Sequence, residues 1–271
     1  MQITRIELLN YLLMKEEITP TTTQPTTSLQ AAWNWSLSSL YEQSWVKKIS
    51  DSQSSARYPI KLLRYWFMYH LIKDEFAQLG RPLRVCEIGV DRGQMRRYVQ
   101  DAGFTDIACW EAVDYKLQPE LMESGYTKQI QSNVDLPDFS LDEKYDVIIV
   151  LHLLEHLFEP EQLVAKLNPA LVSSGVLIGG FPAVPQLLQA YRQKKKRQTA
   201  KDFEHVSTFS PQRVKDMAQS CGLSLDFMSG TFFLRKRNFF LENFKGWTRL
   251  NLLWGALFPA FSGEIYWRMR K

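Results

Sequence analysis

The stretch with the clearest chemistry is Glu87-Ile88-Gly89-Val90-Asp91-Arg92-Gly93. Gly89 lets the backbone turn sharply and come close to a ligand. Gly93 stands where a helix would open, and the free amides of a helix start favour an anionic or carboxylate group. The loop lacks the G-x-G-x-x-G of a dinucleotide site and the G-x-x-x-x-G-K-[ST] of a phosphate loop. Glu87, an acid at the strand end, suits a ligand bearing a positive amino group better than a pyrophosphate. Taken alone, the loop is also compatible with an ordinary strand-to-helix turn.

Histidines supply a second set. His152-Leu153-Leu154-Glu155-His156 matches the H-x-x-E-H of an inverted zinc protease. Zinc would require both histidines on one helical face and a third ligand downstream. The apolar run before them reaches Leu151, so His152 belongs on a strand-end loop and no metal is expected. His156 reads as a brace for that loop. His205 could orient a substrate hydroxyl or act as a general base, or be a hydrogen-bonded structural histidine. Ser210-Pro211 then has the form of an N-cap followed by a first helical residue. Lys194-Lys195-Lys196-Arg197 reads as a solvated helix face, with a lid for an anionic substrate as the sharper alternative.

The elements that position these residues alternate. Leu83–Glu87 is a short apolar strand, 94–102 a helix, and Ile107–Trp110 a second strand. A helix at 117–124 and a weaker strand at 127–131 follow. Tyr145–Leu151 is a continuous apolar run, as a strand covered on both faces requires. Helix 161–171, strand 175–180, helix 211–221 and strands near 223–227 and 231–234 complete the order. Strand–helix alternation predicts a doubly wound parallel sheet, with ligands outside the carboxyl ends of its strands. Before it, 1–20 has the spacing of a short amphipathic helix, 19–29 reads as a Thr/Pro-rich linker, and 29–79 is helical and aromatic, its Trp and Tyr read as packing. After it, 239–271 interleaves Trp247, Trp254, Tyr266 and Trp267 with Lys245, Arg249, Arg268 and Arg270. Such a tail packs on the N-terminal helices or lies in a membrane interface.

Composition sets the bounds. The 271 residues are 45% hydrophobic, which excludes global disorder, and the net charge of +4 is too small to argue for nucleic acid. Cys86, Cys109 and Cys221 form no CxxC pair, which fits a reducing compartment. The N-terminus lacks the order of a signal peptide, and no stretch of about 18 apolar residues suggests a membrane span.

The segment from Arg84 to Asp226 resembles the class I S-adenosylmethionine-dependent methyltransferases. The resemblance rests on the glycine loop, on Ser132-Asn133-Val134-Asp135-Leu136-Pro137, on Tyr145–Leu157 with its Leu154-Glu155-His156, on Ser173-Ser174-Gly175-Val176-Leu177-Ile178, and on the His205–Pro211 segment. Asp91 departs from it, standing where the family's loop carries its middle glycine. The resemblance implies an α/β, Rossmann-like, mostly parallel seven-stranded sheet over 81–236. A helical extension (1–80) and an aromatic-basic extension (237–271) packing on the domain flank it. It implies S-adenosyl-L-methionine as cofactor, with Glu87, Gly89 and Gly93 at its amino-acid part. Glu111, preferred to Asp114 as the acid ending the second strand, would accept from two ribose hydroxyls. Asn133 and Val134 would lie at the adenine, Leu151 beside the cofactor, and His152 and His205 toward the acceptor. The implied reaction is methyl transfer to a small-molecule, glycan or lipid-linked acceptor, expected at oxygen, in a cytoplasmic protein, with peripheral contact at the inner membrane face through the tail as a second reading. The alternatives are a binding protein that has lost catalysis, motivated by Asp91, and a nicotinamide enzyme on the same sheet.

Overall fold

A computed structural model describes residues 25–41, 59–199, 204–232, 241 and 244–271. The helix expected at 1–20 lies outside them. Helices α1 (Ser28–Asn34), α2 (Ser38–Tyr41) and α3 (Pro59–Leu79) precede an alternating region. It comprises β1 (Leu83–Ile88), α4 (Gln94–Asp101), β2 (Ile107–Asp114), β3 (Lys128–Gln131), β4 (Tyr145–Leu151), α5 (Pro160–Leu167), β5 (Leu171–Pro182), α6 (Gln186–Thr199), α7 (Pro211–Ser220) and β6 (Ser224–Thr231). Helix α8 (Lys245–Leu257) and strand β7 (Glu264–Arg270) follow.

The seven strands form one sheet in the order β3-β2-β1-β4-β5-β7-β6. Strands β1 to β5 pair in parallel, and β7 runs antiparallel to both β5 and β6. β4 shows why the centre is apolar throughout. Val147 and Ile149 enter the core under α3, while Ile148 and Val150 enter the core under α5 and α7. Alternate side chains leave opposite faces of a strand, so a strand covered twice has no polar side.

Trp35, Trp66 and Phe67 of the N-terminal aromatics are packing, whereas Trp33 is exposed and Trp45 lies outside the described residues. Trp35 meets Trp66 edge to face at 5.4 Å and stacks on Phe227 at 5.6 Å, and Phe67 stacks on Tyr266 at 4.4 Å. The predicted amino end of α7 is as drawn: the Ser210 hydroxyl accepts from the Arg213 amide at 3.3 Å.

The tail is the principal correction. Of the strand expected at 231–234, Thr231 ends β6 and 233–234 lie outside the described residues; the seventh strand of the sheet is 264–270, which inserts between β5 and β6 rather than packing on the outside. Its cations are consumed internally. Arg268 is fully buried, donating to Glu75 at 2.9 Å and Asp226 at 2.7 Å, and Arg270 donates to the same two acids. Leu250, Leu257, Phe258 and Phe261 are the exposed apolar residues of α8 and the turn after it, whereas Tyr266 and Trp267 are buried. No helix among the described residues is long and apolar enough to cross a membrane.

Candidate active site

Three residues in the left-handed region shape the loop after β1: Gly89 at φ 75°, Asp91 at φ 47° and Gly93 at φ 69°. The amides of the first two hold the loop against the end of β2. Gly89 donates to the Val113 carbonyl at 2.8 Å and Asp91 to Asp114 Oδ2 at 3.0 Å. Gly93 is doubly required. Its φ disfavours a side chain, and a Cβ there would stand 2.7 Å from the Ser124 hydroxyl oxygen.

Glu87 lies beneath this loop, almost fully buried. Tyr126 and Trp110 both donate to its Oε2, at 2.8 and 3.2 Å. Those donors favour the carboxylate, yet burial outweighs them and pushes the Glu87 carboxyl up to about 7. α3 closes the loop from above: the Tyr65 hydroxyl donates to Gln94 Oε1 at 2.6 Å.

The second acid sits differently from expectation. β2 does not stop at Glu111; Ala112 and Val113 continue the buried run, and Asp114 is its last residue. Glu111 is therefore mid-strand, paired with Cys86, buried, and accepts from the Tyr145 hydroxyl at 2.8 Å. Asp114 stands at the carboxyl edge, where its two oxygens accept from the Asp91 and Lys116 amides. After β3, Asn133 and Val134 are half-buried, and Asn133 Oδ1 accepts from the Asp135 amide of its own turn.

Leu151 ends β4 and His152 follows it at φ 54°. The His152 amide donates to the Gly180 carbonyl at 2.9 Å, turning the chain along the end of β5. Its ring sits between two buried acids: Nδ1 is 3.0 Å from Glu155 Oε1, and Nε2 is 3.6 Å from Glu264 Oε2. Burial alone would lower the imidazole, but these carboxylates outweigh it and the net shift is upward. Glu264 moves the other way. Burial would raise it, but His152, Arg64 and the Tyr266 hydroxyl at 2.5 Å hold it down at about 2. Arg64 reaches Glu264 Oε1 from α3 at 3.5 Å.

Sequence reasoning missed Arg64 and Glu264. Arg64 was one cation in an aromatic helix, and Glu264 lay in a tail read as basic. Tyr126 was also missed, and no spacing pattern marks it.

Leu154–His156 forms a single turn of 3-10 helix, and the segment 205–208 is fastened to it. Val206 and Ser207 amides both donate to the Glu155 carbonyl, at 2.8 and 2.9 Å, and the Ser207 hydroxyl donates to the Leu157 carbonyl at 2.7 Å. These bonds bring His205 against His156, with ring centroids 4.7 Å apart and planes at 90°. Burial lowers the His205 pKa, so its ring is neutral near pH 7. On α6, the Arg197 guanidinium donates to the Phe158 carbonyl and Gln193 to the Val206 carbonyl, so the basic helix is tied to the same region.

The carboxyl edges of β1, β2 and β4 thus bring together a buried acid under a glycine loop, a second acid, and His152 between two buried carboxylates. This donor set suits a ligand with an amino group and vicinal hydroxyls. A family model described as a methyltransferase domain matches residues 61–226. No curated protein matches in sequence. Among solved structures, the plantazolicin methyltransferase BamL, in complex with a triazolic desmethylPZN analog and SAH, aligns with a TM-score of 0.52 at 15% identity, covering 90% of this chain and 95% of that one. The plantazolicin methyltransferase BpumL, with the same kind of analog and SAH, aligns with a TM-score of 0.52 at 12% identity, covering 84% and 90%. At such identities the likeness concerns the fold.

Proposed function

This chain belongs to the methyltransferase-domain family and is an S-adenosyl-L-methionine-dependent methyltransferase, and we propose that its acceptor is an oxygen of a small-molecule, glycan or lipid-linked compound held at the carboxyl edge beside His152 and His205. The observation that carries this reading is the meeting of loop 89–93 with Asp114 through the Asp91 amide, which couples the glycine turn to the acid ending β2. BamL and BpumL hold a triazolic desmethylPZN analog together with SAH, which supports a small-molecule acceptor here.

When bound, the cofactor supplies an activated methyl group, so positioning and exclusion of water are the protein's main contribution. Glu87 and the backbone at Gly89 and Gly93 would hold the amino-acid part. Asp114, in place of Glu111, would accept from the ribose hydroxyls. Asn133 with Val134 would border the adenine, and Leu151 would flank the cofactor at the end of β4. His152, whose charged form Glu155 and Glu264 favour, would orient the acceptor as a hydrogen-bond donor. His205, kept neutral, offers a lone pair for the hydroxyl proton.

We also place the protein in the cytoplasm. Peripheral contact at the inner membrane face falls to the exposed side chains of α8 rather than to β7, whose side chains are buried.

Titration with S-adenosyl-L-methionine and NAD, followed by turnover to S-adenosylhomocysteine over a panel of hydroxylated acceptors, tests the reading. Tight NAD binding without S-adenosyl-L-methionine binding would overturn it. Cofactor binding without turnover on any acceptor would favour a protein that has lost catalysis, the alternative that Asp91 raises.

A further inference from the structure

We propose that Glu155, His156 and His205 form a binding site for a divalent transition-metal cation such as Zn2+ or Mn2+, placed to receive an oxygen of the acceptor. One ligand atom from each of the three residues lies within 4.8 Å of the other two. Ligand bonds of about 2.0–2.2 Å need these atoms slightly closer, which is within reach of small side-chain rotations. Two imidazoles and one carboxylate with open positions is a donor set for first-row transition metals.

A second observation points to a cation. The Glu155 side chain is 1% exposed, and its Oε2 has no hydrogen-bond partner. A buried carboxylate oxygen without a donor is costly unless a further positive charge stands beside it. His152 touches only one oxygen of it, at 3.0 Å. The backbone around the site is also fixed before any ion arrives. The amides of Val206 and Ser207 both bind the Glu155 carbonyl, so the segment bearing His205 and the turn bearing Glu155 and His156 cannot drift apart. The H-x-x-E-H motif acts here through its last two residues. The third ligand comes from the segment before α7 instead of from a helical face.

The use of the site rests on the proposed methyl transfer to oxygen. A metal-bound hydroxyl loses its proton more easily than a free one. With the ion present, the His205 lone pair goes to the metal, and the acceptor's proton leaves to water. The oxygen then forms the bond to the methyl carbon as the carbon–sulfur bond breaks, with that electron pair remaining on sulfur.

The test is calorimetric titration of the EDTA-stripped full chain with ZnCl2 and MnCl2, alongside His205→Ala and Glu155→Gln. Wild type should bind one equivalent. Each variant should lose more than about tenfold in affinity, the scale on which even residues behind metal ligands act. Visible absorption of the Co2+-loaded wild type should be absent from Glu155→Gln, which keeps the side-chain volume. Failure of wild type to bind either metal, or variants binding as tightly as wild type, would overturn the site. S-adenosyl-L-methionine titration of the same proteins separates the two ideas. Cofactor binding without metal binding sinks only the metal site, whereas absence of cofactor binding in wild type sinks the methyltransferase reading.

Discussion

The backbone amide of Asp91 donates to the Asp114 carboxylate at 3.0 Å, joining the one non-glycine left-handed residue of the β1 loop to the last residue of β2. This bond explains how the loop tolerates Asp at a position where glycine is usual. The left-handed turn aims the amide at an acid on the neighbouring strand, and the loop needs the turn more than it needs a particular side chain.

Asp114→Ala should therefore weaken S-adenosyl-L-methionine binding by at least about tenfold, or about 1.4 kcal/mol, by removing both the proposed ribose acceptor and the loop's anchor. Glu111→Ala should act on stability instead. It strips the buried Tyr145 hydroxyl of its partner, at a cost of about 1–3 kcal/mol, with affinity nearly unchanged. Calorimetry for the cofactor and urea unfolding, applied to both variants, check the division of labour; equal affinity losses would restore Glu111 as the ribose acid.

Glu87 makes stability pH-dependent. Its folded-state carboxyl titrates at about 7, above the ordinary value of 4.5. The native state therefore holds a proton that the unfolded chain releases earlier. The associated stability is fully present below pH 4.5 and lost as pH rises through 7, by about 3 kcal/mol at about 1.36 kcal/mol per unit. Melting temperatures of the cofactor-free protein from pH 5 to 8 should fall, and Glu87→Gln should flatten the profile. If the cofactor's ammonium sits beside Glu87, binding should release a proton near pH 7, detectable by calorimetry in buffers of different ionisation enthalpy.

At Gly93, alanine meets two obstacles: φ 69° and a Cβ 2.7 Å from the Ser124 hydroxyl. Gly93→Ala should destabilise by about 1–3 kcal/mol, the usual cost of a residue forced into a sparsely populated region. Adding Ser124→Gly should recover the steric part and leave the backbone part. Chemical denaturation of the single and double variants measures the coupling; strict additivity would show that the close contact is not the cause.

Glu264 serves three partners, Arg64, His152 and Tyr266. Glu264→Ala should cost about 3–5 kcal/mol, the range for removing one member of a buried charged group. Arg64→Met should cost less, because Arg64 is a quarter exposed and Glu264 keeps its other two partners. Equal losses would mean that the arginine, not the histidine, sets the acid's environment.

The legible parts of the fold were those with local signals. β4 announced itself by an unbroken apolar run, the loop by its glycines, and the start of α7 by Ser210-Pro211. Glu111 looked like a strand end because an acid follows Trp110, whereas β2 runs on to Asp114. Its partner Tyr145 belongs to another strand, and nothing local tells a buried acid from an exposed one. β7 misled for the same reason at larger scale. Arg268 and Arg270 read as surface cations because Glu75 and Asp226, which neutralise them, lie far away in sequence. His156 and His205 were each visible, but their convergence depends on the hydrogen bonds to the Glu155 carbonyl.

The insertion of β7 between β5 and β6 has a consequence in time rather than in space. β6 has no strand to join until 264–270 arrives, and pairing across such sequence separations is slow to form. The same strand delivers Glu264 to His152. A chain caught before that insertion would carry a formed glycine loop and an unfinished acceptor side, able to engage cofactor but not to use it. The order of assembly would then keep the reactive methyl group away from chance nucleophiles until the sheet is closed.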